Sequence, residues 1–445
     1  TVSNNGVDYS KSWVQFTYMK LAVVNGVAPL HGPLSGVTRI TVTGKNFADT
    51  GLLSCMVNGS LVPATLVSPS ALTCATPASA SAGSVPVRVT LNGQDPTSGT
   101  AAFEYLPDVN VAAVQPASGP DSAATAVAVT GSGFRASAQL ACRFGTALSP
   151  ATFVSATKLT CDTPAMAVSD TAVTVAVHVT TNGADYSATS VSFTFQPTAV
   201  VQSLAPKFGP SSGGTNVLVT GANFVDLAAL ACRFGASAAS AAVFISATLV
   251  RCVAPSAGSV GSLALEVSNN GADFTGSGLR FHFRDAPSVV GLSPVAGPVS
   301  GGTAIIVTGV NFTQSETMFC QFGDKAHRAA AVWLTQGALR CTAPARAAGN
   351  VTVLVTENEQ DLSTGGSVFT YQPDASVAAV SPASGPAGGG TAVAVTGAGF
   401  VASSSVYCKF GSTVVPAAAV TATDATCVAP CNTAGAGPVA VEVSN

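Results

Sequence analysis

PVAGPVSGGTAIIVTGVNF (Pro294–Phe312) and PASGPAGGGTAVAVTGAGF (Pro382–Phe400) are two copies of one stretch, 88 residues apart. A Pro- and Gly-rich opening leads into apolar residues alternating with small ones, which turns one face of a strand inward. A cysteine follows, in CRFG at Cys142 and Cys232, CQFG at Cys320 and CKFG at Cys408. A second cysteine sits in a short strand that reaches a proline three residues later, at Pro77, Pro164, Pro255, Pro344 and Pro430. Proline has no N–H to give a ladder, so the strand stops there.

Outward from this stretch the chain repeats. Ten of eleven cysteines form pairs by spacing: Cys55 with Cys74, Cys142 with Cys161, Cys232 with Cys252, Cys320 with Cys341, and Cys408 with Cys427. Spacings within pairs are 19, 19, 20, 21 and 19 residues, and the first cysteines recur every 87, 90, 88 and 88. Five domains follow, placed at 20–106, 107–196, 197–284, 285–372 and 373–445. Each closes with an alternating strand, an Asn-Gly turn (Asn92-Gly93, Asn182-Gly183, Asn270-Gly271) that tolerates the positive φ of a tight hairpin, and a return strand. The return strand carries two rings two residues apart: Phe103 and Tyr105, Phe193 and Phe195, Phe281 and Phe283, Phe369 and Tyr371. Period two sends both to the core side.

About seven short strands in some 88 residues specify an all-β chain, a tandem array of five immunoglobulin-like sandwiches. The pattern P-x-x-G-x-x-x-G-G-T-x-V-x-V-T-G-x-x-F, then C-x-F-G and L-x-C-x-x-P, resembles the IPT/TIG family of immunoglobulin-like domains over practically the whole chain. Two copies depart from it: Ala123 and Ala124 replace Gly-Gly in the second, and Cys55-Met56-Val57 replaces C-x-F in the first. The family occurs in plexin-like and growth-factor-receptor-like ectodomains, in surface and adhesion glycoproteins of protists and green algae, beside polysaccharide-active enzymes and in some transcription factors. The Ala-, Val- and Thr-rich composition most resembles the protist and algal surface proteins.

With 18 Lys and Arg against 21 Asp and Glu, a net charge of −3, the chain lacks the clustered cations of an electrostatic nucleic-acid binder. No apolar run approaches the roughly 18 residues of a membrane span. Two cysteines per domain, with no C-x-x-C, cannot supply four zinc ligands, and one disulfide per domain is the better reading, implying an oxidising compartment. The sequons at Asn58, Asn311 and Asn350 fit a secreted or cell-surface glycoprotein. Cys431 has no counterpart and is left unpaired.

Catalytic groups do not converge in this sequence. His31, His178, His282 and His327 hold non-equivalent positions and have no Cys, Asp or Glu at metal or triad spacing; His178 and His282 are expected at the surface. The recurrent acid at Asp8, Asp95, Asp185, Asp273 and Asp361 reads as a side chain that bonds turn amides. Calcium would need further oxygen ligands that do not recur with it. Trp13 and Trp333 are expected to be packed. No enzyme activity, cofactor or metal is expected.

The repeat frame is offset. A hairpin and aromatic strand, TVSNNGVDYSKSWVQFTY in 1–18, precede the first opening motif and make 1–19 the terminal piece of a preceding unit. The fifth unit reaches VAVEVSN (Val439–Asn445) without its own hairpin and last strand, and Val-Ser-Asn recurs at 2–4 and 443–445. An unfilled edge costs several kcal/mol of lost burial. It is filled either by the N-terminal segment of another copy, head to tail, or by further repeats of the same chain. The residues expected to carry assembly are Asn5, Val14, Phe16, Tyr18, Val439, Val441 and Val443. The expected function is a non-enzymatic extracellular rod or filament bearing covalent glycans. The alternative is the stalk of a receptor or adhesion protein, and a module of a polysaccharide-active enzyme is a weaker third.

Overall fold

The computed structural model describes residues 2–9, 14–166, 171–402 and 406–444. All regular structure among them is strand, forty in number, with no helix. Two compact units are distinguished. One holds Thr1–Val200 with the loops Val225–Leu230 and Ser268–Thr275; the other holds Val201–Phe224, Ala231–Val267 and Gly276–Asn445.

The fourth domain shows the plan. Ser288–Ser293, Ala304–Val310, Ala338–Thr342 and Val332–Thr335 form one sheet in that order. Ala296–Pro298, Ser367–Gln372, Gly349–Thr356, Phe319–Phe322 and Arg328–Ala330 form the other. Pairing is antiparallel except for the first two strands of the second sheet, where Ala296 lies opposite Thr370 and Gly297 opposite Tyr371 in parallel. Alternation drives burial: Ile305 and Val307 are fully buried, while their neighbours Ala304 and Thr308 face out. The disulfide Cys320–Cys341 joins the two sheets through the core. Its equivalents join Cys55 to Cys74, Cys142 to Cys161, Cys232 to Cys252 and Cys408 to Cys427.

The aromatic strand closes the sandwich. Phe369 and Tyr371 lie edge to face with centroids 5.0 Å apart, and Phe322 meets Phe369 at 5.8 Å. Tyr371 donates its hydroxyl to the Pro344 carbonyl at 2.8 Å, as Tyr105 does to Pro77 at 2.7 Å, and burial pushes both phenols up. Glycine is needed opposite the rings: a Cβ on Gly297 would sit 2.2 Å from Thr303 Oγ1 and 3.0 Å from the Phe369 ring. Gly32, Gly119 and Gly209 are crowded in the same way.

Two openings lack the Gly-Gly pair, with Ala123-Ala124 in the second domain and Gly36-Val37 in the first. In the second domain neither Ala123 nor Ala124 takes a positive φ, whereas Gly301 and Gly302 stand at 76° and 84°. In the first, Val37 adopts 65°, where an L-residue is strained. In the first, second and fifth domains one long strand (Ser60–Ser68, Ala147–Ser155, Thr413–Val420) passes from one sheet to the other. It crosses at Pro63, Pro150 and Pro416, where no ladder donor is available.

The fifth domain differs. Its strands, ordered Ser376–Ser381, Ala392–Ala398, Asp424–Val428, Thr413–Val420, Tyr407–Phe410 and Val441–Ser444, form six positions of a sandwich. Among the described residues it has no aromatic closing strand, and Ser384–Pro386 makes no parallel pair. Phe410, Val441 and Val443 are therefore only partly buried, whereas Phe322, Val353 and Val355 of the fourth domain are fully buried.

Replacing Phe369 by Ala removes the central ring of the fourth core and should destabilise that domain by about 3–5 kcal/mol. Denaturant unfolding of the full chain should show one transition shifted and the others unmoved.

Candidate functional site: clasps between domains and an open sandwich

The connection before each aromatic strand is longer than the tight hairpin expected. In the first domain it spans residues 91–100, between Gly83–Thr90 and Ala101–Leu106. Only the glycine of each Asn-Gly pair takes a positive φ, 75° at Gly93, 73° at Gly183 and 75° at Gly271. The roles within the loop also differ from expectation. The turn amides are bound by the asparagine: Asn182 Oδ1 accepts from Ala184 N at 3.0 Å and Asp185 N at 2.8 Å. This leaves the aspartate carboxylate free to reach outward. It accepts from Asn182 Nδ2 at 2.7 Å, which fixes its direction.

Three of these loops clasp the domain before them. Asp185 accepts the Thr38 hydroxyl at 2.7 Å, and Asn182 Nδ2 donates to the His31 carbonyl at 2.8 Å. Asp273 accepts from Thr125 at 2.7 Å while Asn270 donates to the Ser118 carbonyl at 2.8 Å. Asp361 accepts from Thr215 at 2.6 Å while Asn358 donates to the Phe208 carbonyl at 3.0 Å. The Thr–Asp separations are 147, 148 and 146 residues. The threonine is the one that ends the opening turn, after Gly36-Val37, Ala123-Ala124 and Gly213-Gly214, and all three are fully buried. At the last of these junctions Gln360 adds two bonds, to the amide and the carbonyl of Asn216. The sequence held the signal, because the opening Thr and the hairpin Asp both recur at the repeat period. Reading the Asp inside its own hairpin alone missed its partner.

Two loops and two openings stand outside such pairs. Asn5 donates to Asp8 at 2.8 Å and Asn92 to Asp95 at 2.7 Å, and all four residues are exposed. Thr303 and Thr391 are only partly buried. In the fifth domain a cavity of 640 Å³ occupies the place of the aromatic strand, lined by Gly385, Thr391, Phe410, Pro430, Val439 and Val441. The three atoms nearest a Cβ on Gly385 all belong to Thr391, whereas those nearest one on Gly297 include the Phe369 ring. The N-terminal segment carries the converse: Val14 is 83%, Phe16 79% and Tyr18 91% exposed. Even so, the Phe16 and Tyr18 rings lie edge to face at 5.0 Å, the geometry of the buried pairs.

The remaining candidates are dispersed. The sequon residues Asn58, Asn311 and Asn350 are exposed, and Cys431 is an exposed free cysteine on the wall of the fifth-domain cavity. His282 is exposed, while His31 and His178 are half-buried; His178 stands between the fully buried Val177 and Val179 and lies 3.3 Å from the Ser187 carbonyl. His327 does have an acid nearby: Asp324 lies three residues earlier at 2.8 Å, and Arg346 meets its other oxygen at 3.0 Å. The His327 hydrogen bond, with Arg346, holds the Asp324 carboxyl below its usual range. Burial raises that of Glu357, which accepts from Thr313 N at 2.7 Å. Trp333 packs on the fourth core and donates to the Phe312 carbonyl at 3.1 Å; Trp13 lies outside the described residues. Among the described residues no three His, Cys, Asp or Glu side chains gather as a metal site.

A hydroxyl donating to a carboxylate is worth about 1.5–3 kcal/mol when the pair is shielded from water. Thr215→Val keeps the shape and deletes the donor. It should raise amide hydrogen exchange in the loop 357–363 while leaving exchange in the cores of both sandwiches unchanged.

The model of the IPT/TIG domain family matches residues 22–105, 110–195, 199–283, 287–371 and 375–445. Plexin-2 of Caenorhabditis briggsae is 32% identical over 120 residues, 27% of this chain and 7% of that protein. Fibrocystin-L of Homo sapiens is 28% identical over 205 residues, 45% of this chain and 5% of that protein. The chain thus spans under a tenth of the length of either relative. Among solved structures, the extracellular region of plexin A4 aligns with 92% of this chain and 46% of its own, at 13% identity and a TM-score of 0.32. No helix is long and apolar enough to cross a membrane. Matched in five consecutive copies, the chain belongs to the IPT/TIG domain family.

Proposed function

We propose that this chain is a non-enzymatic, extracellular structural array whose fifth sandwich is completed by the N-terminal segment of another copy, so that copies join head to tail. One observation carries the reading. The fifth domain has an open slot where the others hold two rings, and residues 14–18 present two rings, already in that geometry, to solvent. Burying Phe16 and Tyr18 would contribute about 1.5–3 kcal/mol each. The register is supplied by the other domains. Phe322 pairs with Val353 and Phe410 with Val441, and Val353 faces Ser367 of the aromatic strand. Val14 therefore comes opposite Val441, Phe16 opposite Val439 and Tyr18 opposite Gly437, with Val443 on the same core-facing side of its strand. The same joint would be made within one polypeptide if further repeats followed.

Five disulfides support an oxidising, extracellular setting. The Ala-, Val- and Thr-rich composition favours a surface glycoprotein like those of protists and green algae. The second reading, a stalk of a receptor or adhesion protein, is favoured by the similarity to plexin-2 and fibrocystin-L.

Deleting residues 1–18 should leave five sandwiches folded and abolish end-to-end association, seen as loss of filaments by electron microscopy and of higher-order species by sedimentation. Filaments of unchanged axial repeat formed by the truncated chain would disprove strand completion. In the native material, glycopeptide analysis should find Asn58, Asn311 and Asn350 carrying glycan; all three unmodified would count against the extracellular setting.

A further inference from the structure

The joint between the third and fourth domains carries charges that its counterparts lack. The residue before the clasp asparagine is Thr181 in the second domain and Asn269 in the third, but Glu357 in the fourth. The residue after the second ring is Leu106, Gln196 and Gln372 in the first, second and fourth domains, but Arg284 in the third. The fold brings the two together: Arg284 and Glu357 line one small pocket at the joint, with Phe208, Asp285, Asn358 and Asp361. In the third domain a neutral side chain does the work of Glu357. Asn269 Oδ1 accepts the Val225 amide at 3.1 Å, where Glu357 Oε1 accepts the Thr313 amide at 2.7 Å.

We propose that Glu357 makes this joint proton-responsive: when its carboxylate takes up one proton the loop 357–363 holds the third domain more tightly, and when it gives the proton up the loop loosens. This loop is where such a charge has an effect. Its Asn358 donates to the Phe208 carbonyl, its Asp361 accepts from Thr215, and its Gln360 bonds both the amide and the carbonyl of Asn216. Whatever unseats Glu357 therefore acts on every bond of the clasp.

Glu357 is 5% exposed, and among the described residues the Thr313 amide is the one donor to its carboxylate. An ionised carboxylate so placed has given up most of its water for a single hydrogen bond. Arg284 does not neutralise it by contact. Its guanidinium lies over the Phe208 ring at 4.0 Å, its Nη1 is buried without a hydrogen-bond partner, and it attracts Glu357 only across the pocket. The other charges around Glu357 are mostly acids: Asp285 and Asp361 in the pocket, Glu359 on the same loop, and Glu316 on the loop 313–317 that Glu357 caps. Arg328 reaches the Glu359 carbonyl, and Phe208–Pro210 brings no charge. Burial outweighs the Thr313 amide and Arg284, and the Glu357 carboxyl stands above its usual range. Once the loop is unseated and the carboxyl is solvated, it returns to that range. The protonated form thus favours docking: the joint is tightest at and below the usual carboxylate range and weakens as pH rises through the raised value.

The test is amide hydrogen exchange of the full chain at about pH 5 and about pH 7.5, each rate divided by its intrinsic rate at that pH. Protection of Thr313 and of the loop 357–363 should be about twofold or more higher at the lower pH. The clasped loops 181–187 and 269–275, with Thr181 and Asn269 at this position, are the reference and should stay level. Glu357→Gln keeps the acceptor and cannot ionise, so its protection should be level with pH and at least as high as the parent's low-pH value. Arg284→Gln introduces the residue that positions 196 and 372 carry, removes the attraction, and should move the transition to higher pH. Protection that does not change with pH in the parent, that changes equally in the reference loops, or that still changes in Glu357→Gln overturns the proposal. A transition that Arg284→Gln leaves in place or moves to lower pH overturns the part given to Arg284.

Discussion

Everything in this molecule depends on closing each sandwich with a strand that carries two rings. The sheets are built largely from Val, Ala and Thr, whose side chains are too short to span the roughly 10 Å between packed sheets without help. The rings supply that volume. In the fourth domain Phe369 and Tyr371 meet Phe322 between the sheets, and the opening strand must offer Gly297 because any side chain there would collide with the ring and with Thr303. Two strands hold the aromatic strand, one parallel and one antiparallel. Without it, as in the fifth domain, the valines of the neighbouring strand stay half-exposed although the disulfide and the first sheet are in place.

The same strand governs how one domain meets the next. The loop that delivers the rings also carries the Asn and Asp of the clasp, so the register that buries the rings also aims the carboxylate. Thr215 shows how close the two roles lie: it crowds Gly209 beside the Phe281 ring and, through its hydroxyl, holds Asp361 of the next domain. Core packing and coupling between domains are thus not independent in this repeat. A change at the opening glycine would disturb both.

The shifted carboxylates have structural causes. Glu357 is raised because it is buried under the loop before the aromatic strand, where its carboxylate takes an amide and its carbonyl takes the hydroxyls of Ser315 and Thr317. Asp324 is lowered by His327 and Arg346 at an exposed turn. Glu357 lines a small pocket with Arg284, Asp285 and Asp361 where the third and fourth domains meet.

The sequence by itself determined the repeat, the all-β class, the cysteine spacing, the strands of each sandwich and the frame offset between Thr1–Tyr18 and Val439–Asn445, because alternation, turn residues and period are local properties of a chain. It also showed the recurrent Asp, yet assigned it to turn amides that the neighbouring Asn takes. It overlooked the Asp beside His327. Only the tertiary structure decided these. A hydrogen bond between Thr38 and Asp185 joins residues 147 apart. Its existence depends on how one sandwich rests on the loop of the next, which no window of sequence contains. The fifth-domain cavity is the same kind of fact: its lining, and the half-buried neighbours Phe410, Val441 and Val443, exist only once the sheets face each other.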